Sequence, residues 1–261
     1  VRSNRILSQM LDEGASGIVR KLMEENGVKI LTGVDTDEIL GEKNVTGIKL
    51  DDGTEIKCEM VIIGKGVNPN IEITEGTNIR TDWGISVDQY LQTGVAGIYA
   101  AGDVALTGDV STGEQTVNAL WPCAVEQGRI TGLNMAGSQE IYDGSLGMNS
   151  LVFYDVPVIS MGVTRPKSTG FEELIKEDKK KNIYKKIVIK DNRIAGLVLV
   201  NDVNQAGVYC ALIRKRIDIS SIRSALLEKN FNFAKILPLI KDNEEKFKDK
   251  EFSETVLSYN Y

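Results

Sequence analysis

The sequence of 261 residues contains no histidine. This absence excludes the commonest general base, the Ser–His and Cys–His pairs that activate a nucleophile, and metal sites built on imidazole. The three cysteines, Cys58, Cys123 and Cys210, are far apart and form no C-x-x-C pair that would indicate a metal knuckle or a local redox disulphide. We therefore interpret them as reduced small hydrophobic residues, mostly buried, and predict no metal site.

The sequence also lacks long apolar runs and a strong excess of charge. No run approaches the roughly 20 residues that span a bilayer, and residues 1–5 carry no apolar signal core. A net charge of −6 offers no attraction for nucleic acid or an anionic membrane. We expect a cytoplasmic protein that binds neither. The chain starts with Val1, and its first residues resemble the tail of a loop, so we expect a fragment or a processed product.

The length, together with a 42% hydrophobic content, predicts two or three domains. In the first part, Asp12 can cap a helix that Asn26-Gly27 ends. Four short strands are predicted after this helix, at residues 28–31, 34–40, 45–50 and 54–58. The last two are joined by Asp51-Asp52-Gly53, a strong signal for a hairpin turn.

Two wholly apolar segments, 60–63 and 97–101, are typical of strands buried on both faces of a parallel sheet. The second segment stops at Gly102-Asp103, where the end of a strand would deliver a carboxylate to a ligand crevice. Pro122 then suits the first position of a helix that continues to residue 135.

From residue 148 the sequence changes to longer strands and basic hairpins, which predicts an α+β domain. The candidate strands are 158–163, 172–176, 184–190 and 194–200. A helix is predicted at 203–215, and Ser220 or Ser221 can cap a further short helix. The charged tail at 241–251 is expected to be helical or frayed.

The most specific motif is Thr93-Gly94-Val95-Ala96-Gly97-Ile98-Tyr99-Ala100-Ala101-Gly102-Asp103. Gly102 allows the backbone to approach a ligand closely, and the Asp103 carboxylate can accept hydrogen bonds from hydroxyl groups. A bare Gly-Asp would indicate only a strand followed by an Asp cap. Position for position, however, the string resembles the second FAD fingerprint of the pyridine nucleotide-disulphide oxidoreductase superfamily. The resemblance implies that Gly102 and Asp103 bind FAD, with Asp103 on the ribitol.

Two further segments resemble the same superfamily. Residues 64–70, with Gly64 and Gly66, look like the link by which its NAD(H) domain returns to its FAD domain. Residues 120–128 look like the helix whose amino end faces the flavin pyrimidine, which implies that Trp121 and Ala124 lie against the flavin. A helix start offers free N–H groups and positive partial charge to a flavin edge that becomes anionic on reduction. Trp121 could equally be a core aromatic residue at a domain junction.

The resemblance implies an α/β fold made of the C-terminal parts of two Rossmann-like FAD/NAD(P)-binding domains, followed by an α+β interface domain. The expected boundaries are 1–63 for the NAD(P)H-binding part, 64–140 for the FAD-binding part and 148–261 for a dimerisation or interface domain. No G-x-G-x-x-G motif is present, so the usual cradles for the two dinucleotides are expected upstream of Val1.

The best-matching branch contains NADH oxidases, rubredoxin and ferredoxin reductases, and the flavin portion of NAD(P)H nitrite reductases. It implies a parent enzyme with FAD and NAD(P)H as cofactors, which passes a hydride from NAD(P)H to FAD and electrons on to a small acceptor or carrier protein. No side chain of the chain needs to be a catalytic acid or base, and the chain alone is expected to be inactive. Members that resemble glutathione reductase use a histidine as a base, so the absence of histidine argues against their chemistry.

A homodimer is the expected assembly, and rubredoxin is a possible partner. The lysines at 179–181 and 185–186 could dock such an acidic carrier, or they could belong to a solvated hairpin. A second hypothesis is a catalytically inert fragment that acts as an oligomerisation or partner-binding module. A third is an unrelated enzyme that uses carboxylates, for which no convergent Asp or Glu pair is present.

Overall fold

The computed structural model describes residues 1–247. They form two compact units, one of Val1–Asn68 with Phe153–Asp155, and the other of Pro69–Val152 with the residues from Val156 onward. The part of the predicted charged tail beyond Phe247 lies outside the described residues.

The first unit begins with the predicted helix, α1, Glu13–Glu25. The Asp12 side chain caps it by accepting a hydrogen bond from the Ala15 N–H, as the sequence indicates. Gly27 ends it with a left-handed backbone at φ +85°, a conformation that favours glycine.

An antiparallel three-stranded sheet follows, with β1 at Thr36–Leu40, β2 at Gly47–Leu50 and β3 at Glu55–Lys57 in the order β1-β2-β3. The hairpin between β2 and β3 is confirmed. Its turn is closed by a hydrogen bond from Leu50 N to Thr54 O, with Gly53 at φ +85°.

Two predicted strands of this unit are wrong. Residues 28–31 form no strand, because the N–H of Val28 bonds back to Met23 O at the end of α1. Residues 60–63 also form no strand, and Ile62 is 87% exposed. A strand inside a parallel sheet needs hydrogen-bonded neighbours at both edges, and among residues 1–247 none pairs with this segment.

The second unit starts with a small sheet of β4 at Ile85–Ser86, β5 at Ala105–Gly108 and β6 at Gln115–Thr116. The β4–β5 pair is parallel and the β5–β6 pair is antiparallel. Helix α2 follows at Trp121–Met135, as predicted.

The predicted strand at 97–101 is wrong as well, since only Tyr99 makes an isolated antiparallel bridge, to Gln92. The physical reason is a local loop that uses the backbone groups a strand would need. Thr93 N bonds to Ile98 O and Ala100 N to Leu91 O, and Gly97 takes a left-handed backbone at φ +78°. The strand therefore begins after the Gly-Asp pair, as β5, and not before it.

A five-stranded antiparallel sheet forms the largest part of this unit, in the order β7-β8-β11-β10-β9. Its strands are β7 Met148–Phe153, β8 Val156–Gly162, β9 Phe171–Asp178, β10 Ile183–Lys190 and β11 Arg193–Val200. Four were predicted and β7 was not. Asp191 and Asn192 make the β10–β11 turn, both with positive φ, as a two-residue hairpin requires.

Helices α3, Ala206–Arg214, and α4, Phe233–Asp242, pack on this sheet. The predicted serine cap after α3 is wrong, because it is the Asp218 carboxylate that accepts the Ser220 N–H at the start of a 3₁₀ turn, Ser220–Ala225. Helix α4 was not predicted. The core that strands and helices share contains fully buried residues from each, including Ile187, Leu197, Leu199, Leu212 and Ile236. Within residues 1–247, no helix combines the length and the apolarity of a bilayer span.

The five-stranded sheet provides a direct test of this core. Ile187→Ala, at a side chain with no exposure, should lower the free energy of unfolding by about 2–5 kcal/mol, because a buried cavity replaces packed atoms. Ile175→Ala makes the same change at a side chain that is 51% exposed and should cost about 1 kcal/mol or less. Urea unfolding followed by circular dichroism measures both, and equal losses would contradict the described packing.

Candidate functional site

The Gly-Asp pair of the fingerprint forms a tight turn immediately before β5. Gly102 has φ +84°, a backbone that favours glycine, and Gly102 O accepts the Ala105 N–H at 3.0 Å. Asp103 is exposed. Among residues 1–247, none forms a hydrogen bond or an ion pair with its carboxylate, which is therefore available to a ligand.

The amino end of α2 lies beside this turn. A Cβ atom placed on Gly102 would stand 3.7 Å from the Cβ of Ala124, in the first turn of the helix. Leu120, the residue before α2, forms no side-chain cap. The N–H groups in the first turn of the helix therefore have no acceptor from a capping side chain. Trp121, the first residue of α2, is 83% exposed, which is not the burial of a core aromatic residue. The structure thus brings together Gly102, Asp103, Trp121 and Ala124.

One residue that the sequence did not single out joins the two parts of this site. Gln127 is 1% exposed, and its Oε1 accepts the Gly102 N–H at 2.7 Å. Its Nε2 donates to the hydroxyl of Tyr142 at 3.2 Å. A polar side chain three residues after Ala124, on the buried side of a helix, is the one signal that could have indicated it.

The glycines of the predicted interdomain link belong to the first unit. Gly64 and Gly66 are exposed in a stretch without regular structure, and Gly66 has φ +88°. Between them, Lys65 Nζ lies 2.7 Å from Asp35 Oδ1. The hydrogen bond from Lys65 lowers the pKa of Asp35, with a further contribution from the Thr36 N–H. This exposed ion pair ties the link to β1.

Cys123 is 2% exposed, on the buried side of α2. Burial raises the pKa of its thiol, which disfavours the reactive thiolate at neutral pH. These properties fit the interpretation of Cys123 as a packed small hydrophobic residue. Within residues 1–247, no group of three acidic or cysteine side chains is placed to hold a metal ion.

The basic cluster is smaller than the sequence suggested. Lys185 and Lys186 are buried, and their Nζ atoms each lie 2.8 Å from a carboxylate, that of Asp202 and that of Glu173 respectively. Only the lysines at 179–181 are exposed, in a 3₁₀ turn between β9 and β10. The interpretation of all five as one surface patch is therefore wrong.

Comparison with known proteins agrees with this arrangement. Residues 1–128 match the family model of the pyridine nucleotide-disulphide oxidoreductases, and residues 148–217 match that of the rubredoxin NAD+ reductase C-terminal domain. Both models describe parts of oxidoreductases. The chain belongs to the pyridine nucleotide-disulphide oxidoreductase family.

The relatives are redox proteins of several kinds. The chain is 31% identical over 216 residues to a nitrite reductase [NAD(P)H] of Bacillus subtilis (strain 168), which covers 82% of this chain and 26% of the relative. It is 30% identical over 227 residues to the epsilon subunit of an NADH-dependent phenylglyoxylate dehydrogenase of Aromatoleum evansii. This match covers 85% of this chain and 53% of the relative. The chain thus spans between about a quarter and a half of the length of these relatives.

Among solved structures, a ferredoxin reductase from Rhodopseudomonas palustris is 27% identical and superimposes with a TM-score of 0.68, covering 80% of this chain and 50% of its own. The predicted α/β class of an FAD/NAD(P)-binding oxidoreductase is thereby confirmed.

The buried hydroxyl that Gln127 contacts makes the site sensitive to high pH. Burial raises the pKa of Tyr142 to about 12, from 10.0 in the exposed group. Because the folded state holds the proton more tightly, the resulting stability is fully present below pH 10 and is lost as the pH rises toward 12.

Tyr142→Phe should therefore make the free energy of unfolding fall less steeply between pH 10 and 12 than it does in the wild type. Tyr90→Phe, which removes a hydroxyl from a partly exposed side chain of the same unit, is the matched control. Urea unfolding at stepped pH measures the slopes. Identical slopes in the wild type and Tyr142→Phe would contradict the burial of this hydroxyl.

Proposed function

We propose that the chain is part of a flavoprotein oxidoreductase that passes a hydride from NAD(P)H to FAD and electrons on to a small acceptor or a carrier protein. The observation that carries this proposal is the exposed carboxylate of Asp103, whose neighbour Gly102 lies next to Ala124 in the first turn of α2, in a chain of this family. The family and its oxidoreductase class support the reaction type. The boundaries expected from the sequence, 1–63, 64–140 and 148–261, are retained as part of the proposal.

The residues of the site fit the middle of an FAD molecule. Ribitol hydroxyls are hydrogen-bond donors, and the Asp103 carboxylate is an acceptor that no described residue occupies. Gly102 has no side chain to fill the space next to Ala124, so a ligand can approach the backbone there. Trp121 offers an exposed aromatic face, which suits contact with a flat ring system.

The start of α2 has an electrostatic role in this proposal. Its free N–H groups and positive partial charge favour negative charge nearby, and they do so without a titratable side chain. Bound FAD would supply the hydride and electron chemistry. The chain's own residues orient the cofactor and stabilise charge, so none of them is assigned as a general acid or base. Gly64 and Gly66 remain proposed contacts of the link that joins the two nucleotide-binding parts.

The electron acceptor is proposed from the same family relationship. A small electron-carrier protein such as rubredoxin is a candidate, since a ferredoxin reductase shares the fold at 27% identity. The exposed lysines at 179–181 are the part of the basic cluster that remains available to an acidic carrier. We also propose a homodimer, formed through the domain that matches the rubredoxin NAD+ reductase C-terminal model.

Replacement of the carboxylate tests the cofactor site. Asp103→Asn should weaken FAD binding by about tenfold, because a neutral amide accepts hydrogen bonds from hydroxyls less strongly than a carboxylate. Asp82→Asn removes the same charge from another exposed loop of the second unit and should leave the affinity unchanged. Quenching of flavin fluorescence gives both dissociation constants. An Asp103→Asn protein that binds FAD like the wild type would remove Asp103 from the site.

A specific observation also supports the second hypothesis, that of an inert association module. Met60, Ile62, Ile63 and Val67 are all between 67% and 87% exposed within eight residues, and contiguous exposed apolar surface marks interaction sites.

Sedimentation velocity with detection in the visible range separates the two functions. A flavoprotein should carry flavin absorbance in its sedimenting boundary after incubation with FAD, whereas an association module should form a colourless oligomer. Ile62→Ser should dissociate an oligomer that depends on the apolar segment, because it removes apolar area that association would bury. A coloured boundary whose size Ile62→Ser leaves unchanged would contradict the association-module hypothesis.

A further inference from the structure

We propose that Gln127 is a positioning residue for the cofactor site, and that its side-chain amide holds the Gly102–Asp103 turn against helix α2. This inference rests on the proposed FAD site and adds to it a residue that contacts no cofactor atom. It assigns a role to a buried polar side chain in the interior of the second unit.

The geometry of the amide supports this role. Gln127 bridges two segments 25 residues apart in sequence, with its Oε1 2.7 Å from Gly102 N. Its Nε2 donates to the Tyr142 hydroxyl at 3.2 Å, so the two ends of the amide have different partners. Because the Gly102 N–H can only donate, the oxygen end of the amide faces Gly102, and the Tyr142 hydroxyl serves as the acceptor for Nε2. Gln127 and Tyr142 are both almost completely buried, at 1% and 6% exposure.

The hydrogen bond to Gln127 is made by Gly102, the residue whose backbone conformation sets the direction in which Asp103 points. Gly102 has φ +84°, and glycine populates both signs of φ, so the residue type alone does not fix this turn. A hydrogen bond from its N–H to a buried side chain does fix it. A rigid turn preorganises the next carboxylate, which lowers the entropy cost of ligand binding. Gln127 therefore acts on FAD through Gly102 and Asp103.

Substitutions at Gln127 distinguish the effect of its hydrogen-bond acceptor from the effect of its side-chain volume. Gln127→Leu has a similar volume but no acceptor for the Gly102 N–H, and it should weaken FAD binding by about tenfold. Gln127→Glu keeps an oxygen at the same position, and Tyr142 can donate to the other, so it should bind within about threefold of the wild type. Gln139→Leu, at an exposed position after α2, is the matched control. If Gln127→Leu fails to fold, Gln127→Asn takes its place as the test variant. Its side chain is one methylene group shorter, which moves the acceptor oxygen away from the Gly102 N–H.

The backbone itself gives a readout that needs no cofactor. Hydrogen exchange of the Gly102 amide, followed by NMR in the full chain without FAD, should be at least tenfold faster in Gln127→Leu than in the wild type and in Gln139→Leu. An unchanged exchange rate would overturn the proposed tether, whatever the cofactor.

A double-mutant cycle of Gln127→Leu with Asp103→Asn tests action through Asp103. If Gln127 positions this carboxylate, Asp103→Asn should weaken FAD binding by less than about threefold once Gln127 is replaced, compared with about tenfold in the wild type. Additive effects would make Gln127 merely structural and overturn the inference while leaving the FAD site in place. Wild-type chain that binds no FAD would instead overturn the proposed FAD site on this chain, and the inference with it.

Discussion

The site depends on the contact between the Gly102–Asp103 turn and the first turns of α2. The hydrogen bond from Gly102 N to Gln127 Oε1 holds these two segments together, with Gly102 next to Ala124. The turn presents the Asp103 carboxylate, and α2 presents a helix start with positive partial charge. A ligand that combines donor hydroxyls with an electron-rich ring fits between such groups. The proposed cofactor follows from family membership, and this pairing fits it.

The rest of the second unit supports that contact. The β10–β11 hairpin and helices α3 and α4 bury a core that does not depend on the site. Arg214, at the end of α3, has Nη1 3.9 Å from Glu126 Oε2, next to Gln127 on α2. This ion pair is weak because it is partly exposed, yet it places α2 near the end of α3 as well as beside the turn.

The elements that were predictable from sequence have local causes. The α1 cap at Asp12, the hairpin at Gly53 and the long strands of the last sheet follow from caps, turns and apolar runs between turn residues, which are local patterns. The segments 60–63 and 97–101 were wrongly predicted as strands, because an apolar run does not reveal whether a partner strand lies beside it. Helix α4 was missed because Pro238 interrupts its pattern.

The residues of the candidate site were also predictable only in part. The fingerprint and its flanking helix indicated Gly102, Asp103, Trp121 and Ala124, which the structure brings to one place, although the strand expected before Gly102 does not form. Gln127 was not selected, because a polar residue on the buried side of α2 indicates burial only, and its contact with Gly102, 25 residues away, leaves no local pattern. The burial of Lys185 and Lys186 was hidden for the same reason, because Asp202 and Glu173 are distant in sequence.

The most direct test of the FAD site is an NMR titration of the ¹⁵N-labelled full chain with FAD. The account predicts saturable shifts of the Gly102, Asp103, Cys123 and Ala124 amides and of the Trp121 indole N–H, while signals of the β1–β3 sheet stay in place. The opposite pattern, with no shift at these five groups or with shifts confined to other parts of the chain, would contradict it.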